Sequence, residues 1–228
     1  MVYRAVIFDL FGTLVPNLPA ALAQSLTGMA AAVGAEPAAF HRLWVHDTVG
    51  ARMMGAYPSV ESSIACITDA LGLSPTPEQL AEAARIRLAF YRASLAPRPD
   101  AVATLAALRA RGLRLGLISD CSCEAPLLWH ETPFAPLIDA PVFSCLEGTK
   151  KPDPRLYRTA GARLGVPPEE CLYVADGYSR ELSGARALGM RAALIAVPGE
   201  ALADYTENEG ATWTGDRVVA LSQVLELL

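Results

Sequence analysis

The sequence predicts an α/β protein in which a doubly wound, Rossmann-like parallel sheet carries an inserted all-helical segment. Three observations predict this fold class. The apolar run Ala5–Phe8 is typical of a strand that is buried on both faces of a parallel sheet. Strand and helix patterns alternate between residues 97 and 228, as in parallel sheets with right-handed crossovers. The stretch between these two parts has apolar residues at helical spacing and no convincing strand.

The inserted stretch, residues 16–96, is predicted to form a small helical domain. Its apolar residues recur at helical spacing over 20–33, 38–49, 59–71 and 78–93. Glycine and proline residues separate these segments, and Pro77 followed by Glu78 favours a helix start. A segment of about 75 residues with four helices is consistent with a helical domain. Residues 1–15 and 97–228 are therefore predicted to form the α/β core domain.

The remaining elements of the core are predicted from periodicity and from helix-ending glycines. Strands are predicted over 113–119, 141–144, 171–175 and 192–197. Helices are predicted over 100–111, 154–164, 179–188 and 216–227, and the first three end at Gly112, Gly165 and Gly189.

The composition favours a reduced, cytoplasmic protein without nucleic-acid or membrane partners, and it leaves the oligomeric state open. A net charge of −5 over 228 residues, with no block of like charges, argues against a nucleic-acid footprint or a basic membrane patch. No apolar run is long enough to span a bilayer, and Asp9 interrupts the N-terminal run where a signal peptide would continue. Five cysteines without a framework spacing suit a reducing compartment.

Polar residues follow or end three of the predicted strands. Asp9 follows the first strand, Ser119 ends the second, and Asp176 follows the strand predicted over 171–175. Ligands of open parallel sheets bind at the carboxyl ends of the strands. The placement therefore makes these three residues candidates for a common site.

Lysine usage adds a fourth candidate. Of the 19 basic residues, 17 are arginine, and the two lysines are Lys150 and Lys151 in a loop before a predicted helix. Lysine is a compact point charge that arginine does not copy. A chain that prefers arginine yet keeps lysine at one place therefore indicates a chemical role there.

Four segments resemble, in order, the four motifs of the haloacid dehalogenase superfamily of hydrolases. They are residues 6–14, 117–120, 148–154 and 172–185, which fall at predicted strand ends or in loops. The superfamily layout with a helical cap inserted just after the first motif also matches the helical segment predicted over 16–96. The resemblance spans nearly the whole chain.

The resemblance implies a role for each candidate residue. Asp9 would be the covalent nucleophile that forms an aspartyl-phosphate, which water then hydrolyses. Lys151, directly before Pro152, would pair with Asp9 and with the substrate anion, and Ser119 would bind a phosphoryl oxygen. Lys150 is interpreted as solvent-facing. Further substrate-binding residues would be Gly12, Thr13 and Asp120.

The resemblance also implies a magnesium site. Mg²⁺ prefers oxygen ligands and typically takes one or two carboxylates together with water and substrate phosphate. Asp9, Asp176 and the backbone carbonyl of Phe11 would be its ligands. The family commonly has two Asp residues four apart in its fourth motif, whereas here Glu181 follows Asp176 by five. A place in the metal shell and an ordinary acid in a first helical turn both remain open for Glu181.

Phe11 departs from the pattern of the family's phosphatases. There the residue two after the nucleophile is a second Asp, which protonates the leaving group and later activates water. Phenylalanine can do neither, and such general acid–base help is typically worth about 10²–10⁴-fold. An aromatic residue at this place also resembles haloacid dehalogenases, whose halide leaves without a proton. Two alternatives to a Mg²⁺-dependent phosphatase follow: an L-2-haloacid dehalogenase-like hydrolase, and a binding or regulatory module with little or no turnover.

Two features argue against the dehalogenase alternative. Those enzymes carry an arginine directly after a tryptophan early in the cap, whereas here Val45 follows Trp44, and Arg42 and Arg52 lie out of place. Asp176 stands where those enzymes have an uncharged residue, and a second acid beside the nucleophile needs a cation. The sequence therefore predicts a Mg²⁺-dependent phosphatase of a small phosphorylated substrate, with low or specialised activity.

Overall fold

The structure, a computed structural model that describes residues 3–200 and 208–228, confirms the predicted α/β fold. Six strands form one sheet in the order β3-β2-β1-β4-β5-β6, and every neighbouring pair is parallel. The strand bounds agree closely with the predicted strands, apart from β6. The strands are β1 (Ala5–Phe8), β2 (Arg114–Ser119), β3 (Ala140–Phe143), β4 (Cys171–Ala175), β5 (Arg191–Ile195) and β6 (Asp216–Val218).

The two central strands bring Asp9 and Asp176 to the same edge of the sheet. Phe8 of β1 pairs in register with Val174 of β4, and the Asp9 N–H donates to the Val174 carbonyl across 3.0 Å. Asp9 and Asp176 are therefore the first residues beyond the hydrogen-bonded ends of adjacent strands. Ser119 ends β2, the other neighbour of β1. The carboxyl edge of the sheet thus holds all three strand-end candidates.

Ten α-helices lie among the described residues, and within them no helix is both long and apolar enough to cross a lipid bilayer. They are α1 (Pro19–Ala32), α2 (Pro37–Arg42), α3 (Val49–Met53), α4 (Val60–Ala70), α5 (Pro77–Ser94), α6 (Ala101–Ala110), α7 (Glu124–Leu128), α8 (Ser144–Glu147), α9 (Pro154–Leu164) and α10 (Glu181–Arg186).

Helices cover both faces of the sheet. Successive residues of a strand point to opposite faces, so Val6 and Phe8 pack on one side with α6, while Ala5 and Ile7 pack on the other with α9 and α10. β1 and β4 are buried along their whole length. Their continuous apolar sequences are the consequence of burial on both faces.

Helices α1–α5 lie between β1 and β2 in the chain. α1, α2, α4 and α5 contribute to one hydrophobic cluster, which includes Leu26, Phe40, Ile64 and Ala83. The predicted division into a core domain (1–15 and 97–228) and a cap domain (16–96) stays a prediction. Residues 1, 2 and 201–207 of that predicted core lie outside the described residues.

The single helix predicted over 38–49 is wrong in detail. α2 ends at Arg42, a π-helical turn follows over Leu43–Asp47, and α3 then continues to Met53. Thr48 explains the wide turn, because both its N–H and its hydroxyl donate to the Leu43 carbonyl, each across 2.9 Å. A side chain that bonds the backbone of the preceding turn competes with regular helix hydrogen bonds.

The final helix predicted over 216–227 is also wrong. Residues Asp216–Val218 form the edge strand β6 beside β5, and a 3₁₀ helix follows over Leu221–Glu226. Val218, Leu221 and Val224 are buried at a spacing of three residues. That spacing matches the three residues per turn of a 3₁₀ helix as well as one face of an α-helix, so the apolar pattern alone did not separate them.

Candidate active site

A buried ion pair joins the predicted nucleophile to the predicted lysine. Lys151 Nζ donates to Asp9 Oδ1 across 2.6 Å, although the two residues are 142 positions apart. Asp9 is 5% exposed and Lys151 is 2% exposed. The fold therefore brings together two residues that the sequence analysis assigned to catalysis.

Two further carboxylates hold Lys151 in place. Its Nζ donates to Glu181 Oε2 across 2.5 Å, and its backbone N–H donates to Asp120 Oδ1 across 2.9 Å. Burial opposes the charged form of the lysine, but the negative charges of Asp9, Glu181 and Asp120 raise the pKa of Lys151 well above its ordinary value. Lys151 is therefore a fixed ammonium group at the sheet edge, whereas Lys150 is partly exposed.

Glu181 is fully buried, and donors occupy both oxygens of its side chain. Besides the Lys151 ammonium, Tyr173 donates its hydroxyl to Oε2 across 2.8 Å, and the Gly177 N–H donates to Oε1 across 3.1 Å. Burial, opposed in part by Lys151, raises the pKa of Glu181 well above its ordinary value. Tyr173 carries no sequence signal for this contact, because it lies inside an apolar strand.

An unusual turn brings Glu181 to the lysine. Gly177, Ser179 and Arg180 all have positive φ, at 85°, 57° and 53°. Positive φ is uncommon for residues other than glycine, so local propensity does not indicate this turn. The helix was predicted to begin at residue 179. Because of this turn, α10 begins at Glu181 instead. Tyr157 supports the turn from below by donating its hydroxyl to the Glu181 carbonyl across 3.0 Å.

Asp176 faces the loop that follows the nucleophile. Its Oδ1 accepts from the Tyr178 N–H across 3.1 Å, and its Oδ2 accepts from Asn17 Nδ2 across 3.5 Å. Gly12 has a φ of +76°, and a Cβ on it would lie 2.1 Å from Asp176 Oδ2. Gly12 is therefore required for the close approach of Asp176, a steric role that differs from the substrate-binding role implied by the resemblance.

Within the described part of the chain, the carboxylates at this edge outnumber the one cation that contacts them. One oxygen each of Asp9, Asp176 and Glu181 lies within 4.8 Å of the others. Burial and the charge of Asp9 raise the pKa of Asp176, and Lys151 supplies one positive charge. A surplus of buried negative charge with oxygen donors alone fits a hard divalent cation such as Mg²⁺.

Three predicted substrate-binding groups are buried without a hydrogen-bond partner among the described residues. They are the hydroxyls of Ser119 and Thr13 and the Oδ2 oxygen of Asp120. Buried polar groups are normally paired, so unpaired groups at a sheet edge indicate room for a ligand or for water. Burial raises the pKa of Asp120. The other oxygen of Asp120, Oδ1, accepts from the Lys151 N–H and so holds the loop that contains Lys151.

Arg98 is a site residue that sequence reasoning missed. Its guanidinium donates to the carbonyls of Gly12 across 2.8 Å and Thr13 across 2.7 Å, and it pairs with Glu200 across 2.5 Å. Arg98 therefore fixes the turn that follows Asp9. Arg98 lies between Pro97 and Pro99, where the chain returns to the core, and this position is the sequence feature that could have indicated its role.

Phe11 lies partly buried beside the helical segment rather than in the carboxylate cluster. Its ring meets the ring of Tyr91 edge to face, with centroids 5.6 Å apart. The side chain has no group that could donate or accept a proton. Of the two arginines near Trp44, Arg42 is exposed and pairs with Asp47, and Arg52 lies over the Trp44 ring at 4.1 Å.

Comparisons with known proteins agree on the family. A family model described as haloacid dehalogenase-like hydrolase matches residues 3–189. The chain is 30% identical over 209 residues to the phosphoglycolate phosphatase of Salmonella paratyphi A, which covers 82% of this chain and 78% of the relative. It is 33% identical over 123 residues to the glyceraldehyde 3-phosphate phosphatase of Methanopyrus kandleri, but covers 52% of that protein. The fold is similar to the crystal structure of an L-2-haloacid dehalogenase, with a TM-score of 0.69, 25% identity and 99% and 100% of the two chains covered.

Proposed function

Because the chain belongs to the haloacid dehalogenase-like hydrolases, we propose that it is a Mg²⁺-dependent phosphatase that hydrolyses a small phosphate ester through an aspartyl-phosphate. The observation that carries this proposal is Asp176, a second buried carboxylate close to Asp9. Two adjacent buried acids need a cation, and a phosphatase that binds Mg²⁺ supplies one. The phosphatase names of relatives that align over most of the chain support the same reaction.

The reaction we propose has two steps at phosphorus. In the first, an oxygen of Asp9 bonds to phosphorus while the bond to the ester oxygen breaks, and the electron pair leaves with the alcohol oxygen. In the second, the oxygen of a water molecule bonds to phosphorus while the bond from phosphorus to Asp9 breaks, so that phosphate leaves and Asp9 regains its carboxylate. The water gives up its proton to solvent, and the alkoxide of the first step takes a proton from solvent. Lys151 and the unpaired Ser119 hydroxyl would hold the phosphoryl oxygens as negative charge builds up on them.

The magnesium site would consist of Asp9, Asp176 and the Phe11 carbonyl. When bound, Mg²⁺ would offset the repulsion between the carboxylate nucleophile and a phosphate dianion. Glu181 fits a different role in this proposal, because Lys151, Tyr173 and Gly177 already occupy its oxygens. We propose that Glu181 is a positioning residue that orients the Lys151 ammonium.

A second candidate function is an L-2-haloacid dehalogenase-like hydrolase. Phe11 favours it, because a halide needs no proton from the residue at that place. The fold similarity to a dehalogenase at 25% identity is compatible with it. Asp176 opposes it, since an acid near the nucleophile would repel a haloacid carboxylate. A binding module with little turnover is the third candidate, and Phe11 favours that too.

Turnover of p-nitrophenyl phosphate with Mg²⁺, and with EDTA, tests the proposal. We expect phosphate release that EDTA abolishes and added Mg²⁺ restores, because the carboxylate cluster needs a cation. Chloride release from L-2-chloropropionate is measured in parallel. Chloride release that EDTA does not affect, without phosphate release, would assign the chain to the dehalogenases. No Mg²⁺ binding in calorimetry would refute the metal site.

Substitution of Gly12 by Ala is expected to weaken Mg²⁺ binding by about 10–100-fold, the usual cost of disturbing the support of a metal ligand. The new Cβ would meet Asp176 Oδ2 at 2.1 Å, so the carboxylate or the turn at position 12 must shift and the spacing of the metal ligands changes. Calorimetric titration with Mg²⁺ measures the change. Gly34→Ala is the matched control, because Gly34 has a similar φ of +69° and nothing within 4 Å of its Cβ position. Equal Mg²⁺ affinity of Gly12→Ala and Gly34→Ala would contradict the placement of Asp176 in the metal site.

A further inference from the structure

We propose that Arg52 and Arg87 form a subsite for a carboxylate of the substrate, between the helical segment and the sheet edge. The proposal rests on the proposed function and names its substrate class: a phosphate ester that also carries a carboxylate. We call these two residues the arginine pair.

Arg87 is buried with part of its guanidinium unpaired. It lies on α5 and is 6% exposed, and its Nε donates to Glu124 Oε1 across 2.7 Å. The NH1 nitrogen of Arg87 is buried and has no hydrogen-bond partner among the described residues. A buried donor of a charged group is costly to leave unpaired. The unpaired nitrogen therefore points to a ligand that accepts from it.

Arg52 is a second buried guanidinium, held by neutral groups. It lies on α3 and is 4% exposed. It donates to the Trp44 carbonyl and to Thr48 Oγ1, and it stacks over the Trp44 ring at 4.1 Å. Arg87 stacks over the same ring at 5.0 Å. The two cations therefore contact the same aromatic side chain, and the charge of Arg87 acts on Arg52.

The arginine pair carries one positive charge that no protein group compensates among the described residues. Burial and the charge of Arg87 lower the pKa of Arg52 to about 10, so it is still protonated at neutral pH. Burial opposes the ionisation of Glu124, but Arg87 and nearby donors hold the pKa of Glu124 below its ordinary value. Burial raises the pKa of the neighbouring Cys123 thiol to about 12, so this group is neutral. Two arginines and one carboxylate leave a net charge of +1, which a single bound carboxylate would cancel.

A chain of contacts links the arginine pair to the region of the nucleophile. Tyr91 is one helical turn after Arg87 on α5, and Arg87 lies over its ring at 5.1 Å. The Tyr91 ring in turn contacts Phe11, two residues after Asp9. Glu124 begins α7, five residues after Ser119 at the end of β2. The proposal places the phosphate of the substrate at Asp9 and Ser119 and its carboxylate at the arginine pair.

The test compares phosphoglycolate with hydroxyethyl phosphate, which has a hydroxymethyl group in place of the carboxylate. With Mg²⁺ present, we expect the kcat/KM of the wild type to be about 10–100-fold higher for phosphoglycolate, the usual range for a hydrogen bond to a charged group. Turnover of p-nitrophenyl phosphate reports the proposed function separately. If turnover of either ester is too slow to measure, as the missing acid at position 11 would cause, calorimetric binding of the two esters to Asp9→Asn with Mg²⁺ gives the preference as a ratio of dissociation constants.

Three variants identify the residues responsible. Arg52→Gln keeps the Arg87–Glu124 ion pair and is expected to lower the phosphoglycolate preference by about 10-fold or more. The double variant Arg87→Met with Glu124→Met removes a buried pair together, which cores tolerate better than removal of one partner, and should lower the preference as well. Arg85→Gln is the control on the same helix, because Arg85 is exposed and pairs with exposed Glu82.

The outcomes separate this inference from the proposed function. A preference that disappears in both arginine variants and persists in Arg85→Gln supports the subsite. A wild type that treats both esters alike within about two-fold, in turnover or in binding, overturns the inference even if p-nitrophenyl phosphate is hydrolysed. A stronger preference for ethylene glycol bisphosphate would overturn the assignment to a carboxylate.

Discussion

Replacement of Asp9 by Asn is expected to abolish hydrolysis of p-nitrophenyl phosphate, with a loss of at least about 10⁴-fold in kcat, as found when a covalent nucleophile is removed. The amide nitrogen of Asn is not a nucleophile, so no aspartyl-phosphate can form. The substitution nearly preserves the volume of the side chain, and Lys151 keeps its ion pair with Glu181. We therefore expect activity to be lost while the fold is retained.

Two measurements accompany that prediction. Steady-state turnover with Mg²⁺ gives the loss of rate, and thermal unfolding without metal gives the effect on stability. Asp9→Asn removes one of three clustered carboxylates, so the melting temperature of the metal-free variant should not fall. Asp69→Asn, which changes an exposed acid on α4, is the matched control for turnover. Residual activity above about one tenth of the wild type would exclude Asp9 as the nucleophile, because removal of a nucleophile costs far more than about 10-fold.

The parts of the fold that follow from local sequence were predicted well. β4 spans Cys171–Ala175 and α9 spans Pro154–Leu164, the ranges predicted from a continuous apolar run and from a Pro start with a Gly stop. Gly165 has a φ of 65° at the end of α9, a conformation that glycine adopts without strain. In these elements, propensity, hydrophobic pattern and turn residues all indicate the same structure.

The meeting of Asp9 and Lys151 was predictable only through the order of motifs along the chain. Neither residue has a local signal that reports a partner 142 positions away. Their contact follows from the parallel sheet, which places the loops after its strands at one edge. The sequence therefore predicted that Asp9 and Lys151 belong to one site, but the distance between them could be known only from the folded structure.

The contacts of Glu181 could not be read from the sequence. Its approach to Lys151 depends on left-handed backbone at Ser179 and Arg180, which residues other than glycine rarely adopt. The contacts of the arginine pair could not be predicted from the sequence for a different reason. Arg87 and Glu124 are 37 residues apart in the chain. Arg87 lies on α5 of the helical segment, whereas Glu124 begins α7, which follows β2. Long-range packing of this kind leaves no periodic pattern in either helix.

Substitution of Phe11 by Asp is expected to raise phosphatase activity on alkyl phosphates by about 10²–10⁴-fold, the usual contribution of a general acid–base group. An alkoxide is a poor leaving group unless it is protonated, and Phe11 cannot supply the proton. The gain should be much smaller for p-nitrophenyl phosphate, because p-nitrophenolate leaves without one. Measurement of kcat/KM for hydroxyethyl phosphate and p-nitrophenyl phosphate separates the two effects.

Phe11→Asn is the matched control for that gain, because Asn has the size of Asp and cannot transfer a proton. Both variants lose the edge-to-face contact of Phe11 with Tyr91, a loss of about 0.5–1.5 kcal/mol that therefore cancels in the comparison. A gain confined to Phe11→Asp and to the alkyl phosphate would mean that the site is complete for phosphoryl transfer except for its acid. Equal gains in both variants would assign the effect to lost packing rather than to proton transfer. No gain in either variant would contradict the proposed phosphatase and favour the dehalogenase or the binding module, because neither of those needs an acid at position 11.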